Sequence, residues 1–578
     1  MAETRTDSDA PVVDQKSLDL AKAREAGWSE TTAFDYDAFT KQGANSGEWQ
    51  ALTGVYEWSE EYGDVAPEMP ELERILYGTD TRVVEGKHRE TLDEIEVVVE
   101  GSTKVKPIQG FEDGGLHPVM RQNIERCGYG KPTPIQAYTI PAIKLGYDVV
   151  GIAQTGSGKT ASYMIPIVSA LMGKAKKLRG PRPNVLDPRY DAKLHRVRAE
   201  PLVLIIVPTR ELAIQVFDEA RRMCYRSMLR PGVAYGGLPM GLQIEDLGKG
   251  CDILIGSPGR LMDLMDRPDV LTMGRVKYTV IDEADEMLNE DWSEEMAKIL
   301  AGGDANEDAD HVYMMFSATF PKGARRVARE YMADDHMRIK VGRAGQAHKN
   351  IKQEIIEVDH GNKRQAVYDL LFASQPCRTI IFCNSKNTVD LIDDFLYNKG
   401  LPTTSIHADR NMKEREDAIR AFRTGNAPIL IATGVSARGL DVPSVGHVIN
   451  FDLPSAMYGG IQEYIHRIGR TARIGNLGLA TSFYNERNED IAQDLVNVLV
   501  ECDQSVPDFL EHLKPEQASE IQFDDDSEDE AEGGEGDAGG AWGGDAAPEA
   551  EPADTGFQAD AGFQADDGFK PASADDAW

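Results

Sequence analysis

Lys159 and Thr160 close the string GIAQTGSGKT, Gly151 to Thr160, in which an apolar strand runs into a glycine-rich turn that opens a helix. Backbone N–H groups and the positive end of that helix would face an anion there. Thr155, Gly156, Ser157 and Gly158 would line the phosphates of a nucleotide, Lys159 would reach the outer ones, and Thr160 would bind Mg2+, the chemistry of the G-x-x-x-x-G-K-[ST] pattern. Ala153 stands where that pattern wants its first glycine, so a glycine-rich turn with a chance lysine stays open until a second, acid-bearing strand is found. YTVIDEAD is such a strand, a β-branched run ending in Asp282, Glu283 and Asp285. One acid at a strand end can hold a metal's water shell, as Asp282 would, and a second can orient an attacking water, as Glu283 would.

Both strings need strands to carry them. Between about 111 and 345, short apolar runs bounded by turn residues (DVVGIA, LVLIIVPT, CDILIGSP, YTVIDEAD, VYMMFSAT) alternate with helical spacing, the rhythm of a parallel sheet covered on both faces. After VGRAGQAHKNIK, which lacks clear periodicity, the rhythm restarts with RTIIFCNS, TTSIHA, PILIATG, HVINFDLP and LATSFY. The expected architecture is α/β: an acidic, aromatic-bearing extension over 1–110, a first parallel-sheet domain over 111–345, a second over 346–515, and a tail over 516–578.

Length and charge agree with that division. A chain of 578 residues exceeds one compact core. Its formal charge of −35 is concentrated at the ends: residues 515–578 hold 20 acids and 1 base, and residues 1–110 hold 24 acids and 11 bases, which leaves the middle close to neutral. The overall acidity therefore does not argue against a nucleic-acid partner for the middle, where local patches decide. The tail is Gly, Ala, Asp and Glu with Phe557, Phe563 and Phe569 at six-residue intervals, a composition that cannot offset chain entropy and is expected to be disordered. On a flexible tether it could compete with a nucleic acid for basic patches of the middle. The extension carries Trp28, Phe34, Tyr36, Phe39, Trp49, Tyr56, Trp58, Tyr62 and Tyr77, which suits docking onto a partner or the core as well as local packing. The segment 174–198 has nine bases against two acids and reads as a solvated loop ahead of an extra RNA contact. The six cysteines form no C-x-x-C pair, which suits reduced, buried thiols and argues against zinc. The N-terminus lacks a basic, then apolar, leader, and no apolar run approaches the roughly 18 residues that span a bilayer. A soluble, cytoplasmic protein without a membrane partner is expected, with ribonucleoprotein granules or the nucleus as alternatives.

AQTGSGKT, PTRELA, DEAD, SAT, ARGLD and HRIGRTAR follow one another in the order and spacing of the DEAD-box RNA helicases, so the chain over 111–514 resembles that family. The resemblance accounts for Ala153, which the family carries there, and implies two tandem RecA-like domains. It implies ATP as the nucleotide through GYGKPTPIQ, with Gln136 reading adenine and Phe111, seventeen residues before Gly128, stacking on the ring. It makes Arg470 and Arg473 a finger that meets the outer phosphate on domain closure, places Gly439 and Asp441 at the nucleotide, and makes Asp285, Ser317, Thr319 and His466 the coupling between nucleotide and domain interface. Lys159, Asp282 and Glu283 complete the catalytic set, with Mg2+ held by Thr160 and Asp282 largely through water. An RNA track is assigned to Pro208, Thr209, Arg210, Gly237 and Arg260 in the first domain and Arg410, Thr433 and Gly434 in the second. These types near strand ends suit sugar and phosphate contacts more than base edges.

Departures from the family pattern are Ser257 for Thr, Met412 for a frequent Gln, Gly434 for Asp, Ala or Ser, and Ala472 for Gly. Met412 removes a polar contact. DEARRMCYRSM, VAYGG and LVNVLVECDQSVPDFL look most like the Vasa-like subgroup, although SAMYGGIQEYIHR is a few residues longer than usual there and no Arg-Gly repeats flank the core. The expected function is ATP-dependent, local separation of short RNA duplexes or remodelling of ribonucleoprotein by a monomeric core, whose acidic ends could recruit proteins. An ATP-gated RNA clamp and a DNA-acting motor are the alternatives.

Overall fold

In a computed structural model, the residues described are 15–29, 54–62, 65–78, 95–287, 293–301, 311–320, 322–342, 349–437, 442, 444–472 and 476–515. Fourteen strands build two sheets within the compact unit Met1–Asp524. The first holds β1 (Val97–Glu100), β2 (Val149–Ile152), β3 (Val203–Ile206), β4 (Pro231–Ala234), β5 (Ile253–Gly256), β6 (Tyr278–Asp282), β7 (Val312–Ser317) and β8 (Met337–Val341) in the order β1-β8-β2-β7-β6-β3-β5-β4. The second holds β9 (Ile351–Glu357), β10 (Arg378–Cys383), β11 (Thr403–Ile406), β12 (Ile429–Thr433), β13 (Val445–Asn450) and β14 (Gly478–Tyr484) in the order β11-β12-β10-β13-β14-β9. All pairings are parallel except β1 with β8.

The expected α/β class with two parallel sheets is what the chain forms. Strands β2, β3 and β5 are buried at every residue, which is why they read as unbroken apolar runs. Successive residues face opposite sides: Val203 and Ile205 join one apolar cluster, Leu204 and Ile206 the other. The first sheet reaches upstream of the expected start at 111, because Val97–Glu100 adds an antiparallel edge to β8. Since every other strand is parallel, the carboxyl ends lie along one edge of each sheet, where α/β folds gather their ligands.

The N-terminal extension docks on the core at two places. The helix Gln15–Glu25 lies against the second domain: Asp19 pairs with Lys399 at 3.0 Å, and the Lys22 ammonium stands 4.8 Å from the Tyr368 ring centroid and 4.7 Å from that of Phe372. Trp28, 5 % exposed, joins the cluster of Val367, Tyr368 and Leu371. Residues 54–62 and 65–78 lie against the first domain, where the Met69 N–H donates to Tyr225 Oη at 2.9 Å and Arg126 pairs with Glu68 and Glu73. Phe34, Tyr36, Phe39 and Trp49, like the acidic tail and its phenylalanines, fall outside the described residues. An isolated 11-residue helix is marginal in water, so Trp28→Ala should release this one, at a cost of about 3 kcal/mol. Trypsin should then cut at Lys22 and Arg24 well before the core, and parent-like resistance there would contradict the docking.

The basic segment 174–198 is also committed to the first domain. Arg182 pairs with the buried Asp252, Arg179 with Glu60 at 2.5 Å, Arg196 with Asp269 and Arg198 with Glu200. Four of its nine bases are thus met by acids outside the segment. All six cysteines are free thiols. Among the described residues no helix is long and apolar enough to cross a membrane.

Candidate nucleotide site and nucleic-acid track

The loop after β2 turns through Gly156 at φ +76° and Gly158 at φ +88°, left-handed conformations that glycine adopts without a Cβ penalty. Gly158 has a second reason: a Cβ there would come within 2.5 Å of Gln136 Nε2. Ala153 does not turn. Its N–H donates to Ser317 O at 3.1 Å, continuing the β2–β7 ladder, and its methyl is buried. The missing first glycine is thus explained by where the strand ends.

Lys159 opens the helix Lys159–Met172, and its ammonium donates to Ala153 O at 2.6 Å and Gln154 O at 3.1 Å. Burial pushes it below its ordinary range, with Asp282 opposing. Asp282 ends β6; its Oδ2 accepts from Tyr163 Oη at 2.8 Å and Thr160 Oγ1 at 3.4 Å, and its Oδ1 accepts from the Glu283 N–H at 3.0 Å. Burial raises this carboxyl against the pull of Lys159. Glu283 sits at φ +52°, a conformation that costs a non-glycine residue about 1–3 kcal/mol and collects at functional sites. Burial raises its carboxyl too, against the attraction of Arg470.

Asp285 connects this strand end to its neighbour. Its Oδ2 accepts from Thr319 N–H at 3.1 Å and Thr319 Oγ1 at 2.9 Å, and its own N–H donates to Ser317 Oγ at 3.3 Å. Although burial opposes ionisation, His466, Ser317 and Thr319 hold Asp285 below the usual carboxylate range. His466, from the second domain, lies 3.7 Å from Asp285 and 3.4 Å from Glu286; those carboxylates raise its imidazole above the ordinary range despite burial. Thr155 Oγ1 donates across to Gly469 O at 3.3 Å. Thr155, Lys159, Glu283, Asp285, Glu286, Ala318, His466 and Arg470 thereby line one cleft between the two sheets.

Gln136 brackets the loop: its Oε1 accepts from the Thr133 N–H at 3.0 Å, and its Nε2 donates to Gly158 O at 3.1 Å. Phe111 begins a short turn and is buried in the first domain's apolar cluster. Gly439, Asp441 and Arg473 lie outside the described residues.

The track residues occupy the other half of the same edges. In the order β2-β7-β6-β3-β5-β4, nucleotide-side residues follow β2, β7 and β6, whereas Pro208, Thr209 and Arg210 follow β3, Arg260 follows β5 and Gly237 follows β4. The second sheet repeats the division, with Arg410 after β11, Thr433 and Gly434 at the end of β12, and His466 and Arg470 after β13. Thr209 Oγ1 caps the helix Arg210–Cys224 by accepting from the Leu212 N–H at 3.2 Å, and the Arg210 guanidinium fills the space beside Gly237, which stands at φ +91°. Arg260 donates to Leu238 O at 3.1 Å while its buried Nη1 has no hydrogen-bond partner among the described residues. Arg410 donates to Asp390 at 2.9 Å and Ser405 at 3.1 Å, and Thr433 Oγ1 donates to Ser436 Oγ at 3.0 Å.

Of the unusual residues, Gly434 and Met412 have local reasons, and nothing in the structure explains Ala472 or Ser257. Gly434 is pressed against the buried Glu463–Arg467 pair, whose Nε–Oε1 distance is 2.9 Å, so a Cβ there would collide with the Glu463 carboxylate. Gly434→Ala should destabilise the chain by about 1–3 kcal/mol through that overpacking, and an unchanged melting temperature would contradict this. Ala472 holds φ +56°, the left-handed region that favours glycine. Ser257 is the N-cap residue of the helix Pro258–Met265. Met412 opens the helix Met412–Thr424 of the second domain and packs on the first domain's apolar cluster, so the lost polar contact is replaced by an apolar one.

Three groups escaped the sequence reading. Tyr163 lies one helical turn after Lys159, so i, i+4 spacing was its only signal. Arg415 of the Met412–Thr424 helix meets the buried Glu211 of the first domain at 2.5 Å, and Tyr235 donates to Glu416 at 3.3 Å. Nothing in the spacing of these residues links the two domains.

A family model described as DEAD/DEAH box helicase matches residues 133–327, and one described as Helicase conserved C-terminal domain matches 362–475. Together they take in just over half the chain. Among solved structures, a substituted Dbp5 from S. cerevisiae bound to RNA and ADP BeF3 is 25% identical, with a TM-score of 0.56 over 70% of this chain and 98% of that one. The same yeast protein bound to Gle1 and IP6 is 25% identical, with a TM-score of 0.53 over 69% and 93%. A DEAD box protein from the hyperthermophile Methanococcus jannaschii is 32% identical over 69% of this chain and 98% of that one, with a TM-score of 0.40. Strand ends from two parallel sheets thus converge on one cleft within the span that both helicase models match, and the chain belongs to the DEAD-box family of ATP-dependent RNA helicases.

Proposed function

We propose that this helicase grips single-stranded RNA by its sugar-phosphate backbone, without regard to sequence, and separates short duplexes or remodels ribonucleoprotein locally as ATP closes its two domains. The observation that carries the reading is the shared cleft, which Glu283 from one domain lines together with Arg470 from the other. Hydrolytic parts contributed by both domains favour turnover in the closed form alone. The buried, unpartnered N–H of Arg260 suits a backbone phosphate. A yeast neighbour bound to RNA and ADP BeF3 supports the same ligand pair.

Thr160 and Asp282 fit Mg2+: both offer hard oxygens, and the Asp282 carboxylate is buried where a cation would offset its desolvation. When bound, Mg2+ would neutralise charge on the outer phosphates, leaving Lys159 to hold them, Glu283 to orient the attacking water and Arg470, with Arg473, to meet the charge that develops. Gln136 and Phe111 would select adenine. Asp285, Ser317, Thr319 and His466 would report nucleotide occupancy across the domain interface. The strings in the Arg210–Cys224 helix and near the C-terminus support a place in the Vasa-like subgroup, and six free thiols suit a reducing compartment such as the cytoplasm. The acidic, aromatic-bearing ends of the chain are the natural sites for protein partners, as the Gle1 complex of a neighbour illustrates for that protein.

The test is strand displacement measured beside ATP hydrolysis. ATP, and not GTP, should drive release of a short RNA strand, with release falling off steeply as the duplex lengthens. Hydrolysis and RNA retention without displacement would replace this reading with that of an ATP-gated clamp.

A further inference from the structure

Tyr163 has no role in the mechanism described so far, yet its phenol meets the same Asp282 oxygen as Thr160. It is fully buried, on the second turn of the helix that Lys159 opens. Side chains there lean back toward the helix N-terminus, which aims the phenol at the phosphate loop and the end of β6. The ring packs against Phe316 with centroids 5.1 Å apart. Phe316 in turn fills the space that Gly151 leaves on β2, where a Cβ would lie 2.5 Å from its ring. Gly151, Phe316 and Tyr163 thus form a continuous stack that ends on the metal-side carboxylate.

We propose that Tyr163 is a positioning residue for the divalent cation: its hydroxyl fixes the Asp282 carboxylate so that the remaining lone pairs face the ion's water shell. The proposal rests on the reading that Asp282 helps hold Mg2+. A carboxylate oxygen accepts at about two sites. Tyr163 takes one on Oδ2, Thr160, itself assigned to the ion, reaches the other at 3.4 Å, and the Glu283 N–H takes one on Oδ1, which leaves the carboxylate little freedom to rotate. Partners that orient a metal's ligands typically change metal affinity by about 10–100-fold when removed. A buried tyrosine also needs a hydrogen-bond partner for its own sake, and that plainer role would affect stability while leaving the metal untouched.

Tyr163→Phe removes one oxygen and keeps the ring and its stack on Phe316. Binding of a fluorescent ATP analogue to the full chain, without turnover, should be titrated with Mg2+ for the parent, Tyr163→Phe and Asp282→Asn. The expected result is a rise of about tenfold in half-saturating Mg2+ for Tyr163→Phe, a larger rise for Asp282→Asn, and unchanged analogue binding by Tyr163→Phe in EDTA. Phe316→Leu, which loosens the ring from behind, should move the midpoint the same way by less. Metal-free melting curves fix a temperature at which every variant is folded. A parent-like midpoint in Tyr163→Phe beside a shifted one in Asp282→Asn overturns the positioning role alone. Parent-like midpoints in both overturn the metal reading of Asp282 and this proposal with it.

Discussion

Glu283→Gln is expected to bind ATP and RNA with parent-like affinity and to lose turnover by about 10²–10⁴-fold, the range that a positioned acid–base group contributes. The amide keeps the size of the side chain and can hold the left-handed backbone of the parent, since nothing beyond Cβ sets φ +52°. What it loses is the negative charge facing Arg470 and the carboxylate that orients water. Burial drives that carboxyl above its ordinary range, and Arg470 resists the rise, so the two domains together determine its charge. Rapid quench of a single turnover separates chemistry from release. A variant that hydrolyses ATP at near-parent rates would remove Glu283 from the mechanism.

Arg415→Ala is expected to lower RNA-stimulated hydrolysis by about 10²–10³-fold while leaving nucleotide binding and the melting temperature little changed. Its partner Glu211 is 4 % exposed and lies at the first turn of the helix Arg210–Cys224, next to the proposed RNA track. Breaking a buried ion pair by removing one side costs about 3–5 kcal/mol, chiefly because the other charge is left uncompensated. Here the penalty falls on the closed form alone, since separated domains let water reach both groups. Adding Glu211→Gln removes the stranded charge and should restore a substantial part of the loss. Equal rates for the single and double variants, or a loss of nucleotide binding in Arg415→Ala, would place the residue outside domain closure.

The two sheets were legible because their inner strands are runs of apolar residues, as in Val203–Ile206 and Ile429–Ala432. Val97–Glu100 escaped because it is a short edge strand with no fully buried residue, and Met337–Val341 because Arg338 and Lys340 interleave with its buried residues. The phosphate loop was legible for a chemical reason: left-handed glycines and a helix-opening lysine leave little choice of sequence. Contacts across domains leave no such mark. Arg415 looks like any cation in KEREDAIRAF until folding places it against Glu211, and Met412 looked like a lost polar contact until the apolar surface beneath it was present. The docking of Trp28 was equally open, because an aromatic in an acidic segment suits a partner as well as the chain's own second domain.

On the proposed function, RNA backbone bound along one half of the strand ends closes the cleft that hydrolyses ATP at the other half. The most direct test is the steady-state ATPase rate titrated with single-stranded RNA and, in parallel, with single-stranded DNA of the same sequence. Low hydrolysis by the protein alone, a saturable rise with RNA that is independent of base sequence, and little response to DNA are expected, because 2′-hydroxyls join the phosphates in the contact. Equal stimulation by RNA and DNA, or a full rate with neither present, would contradict it.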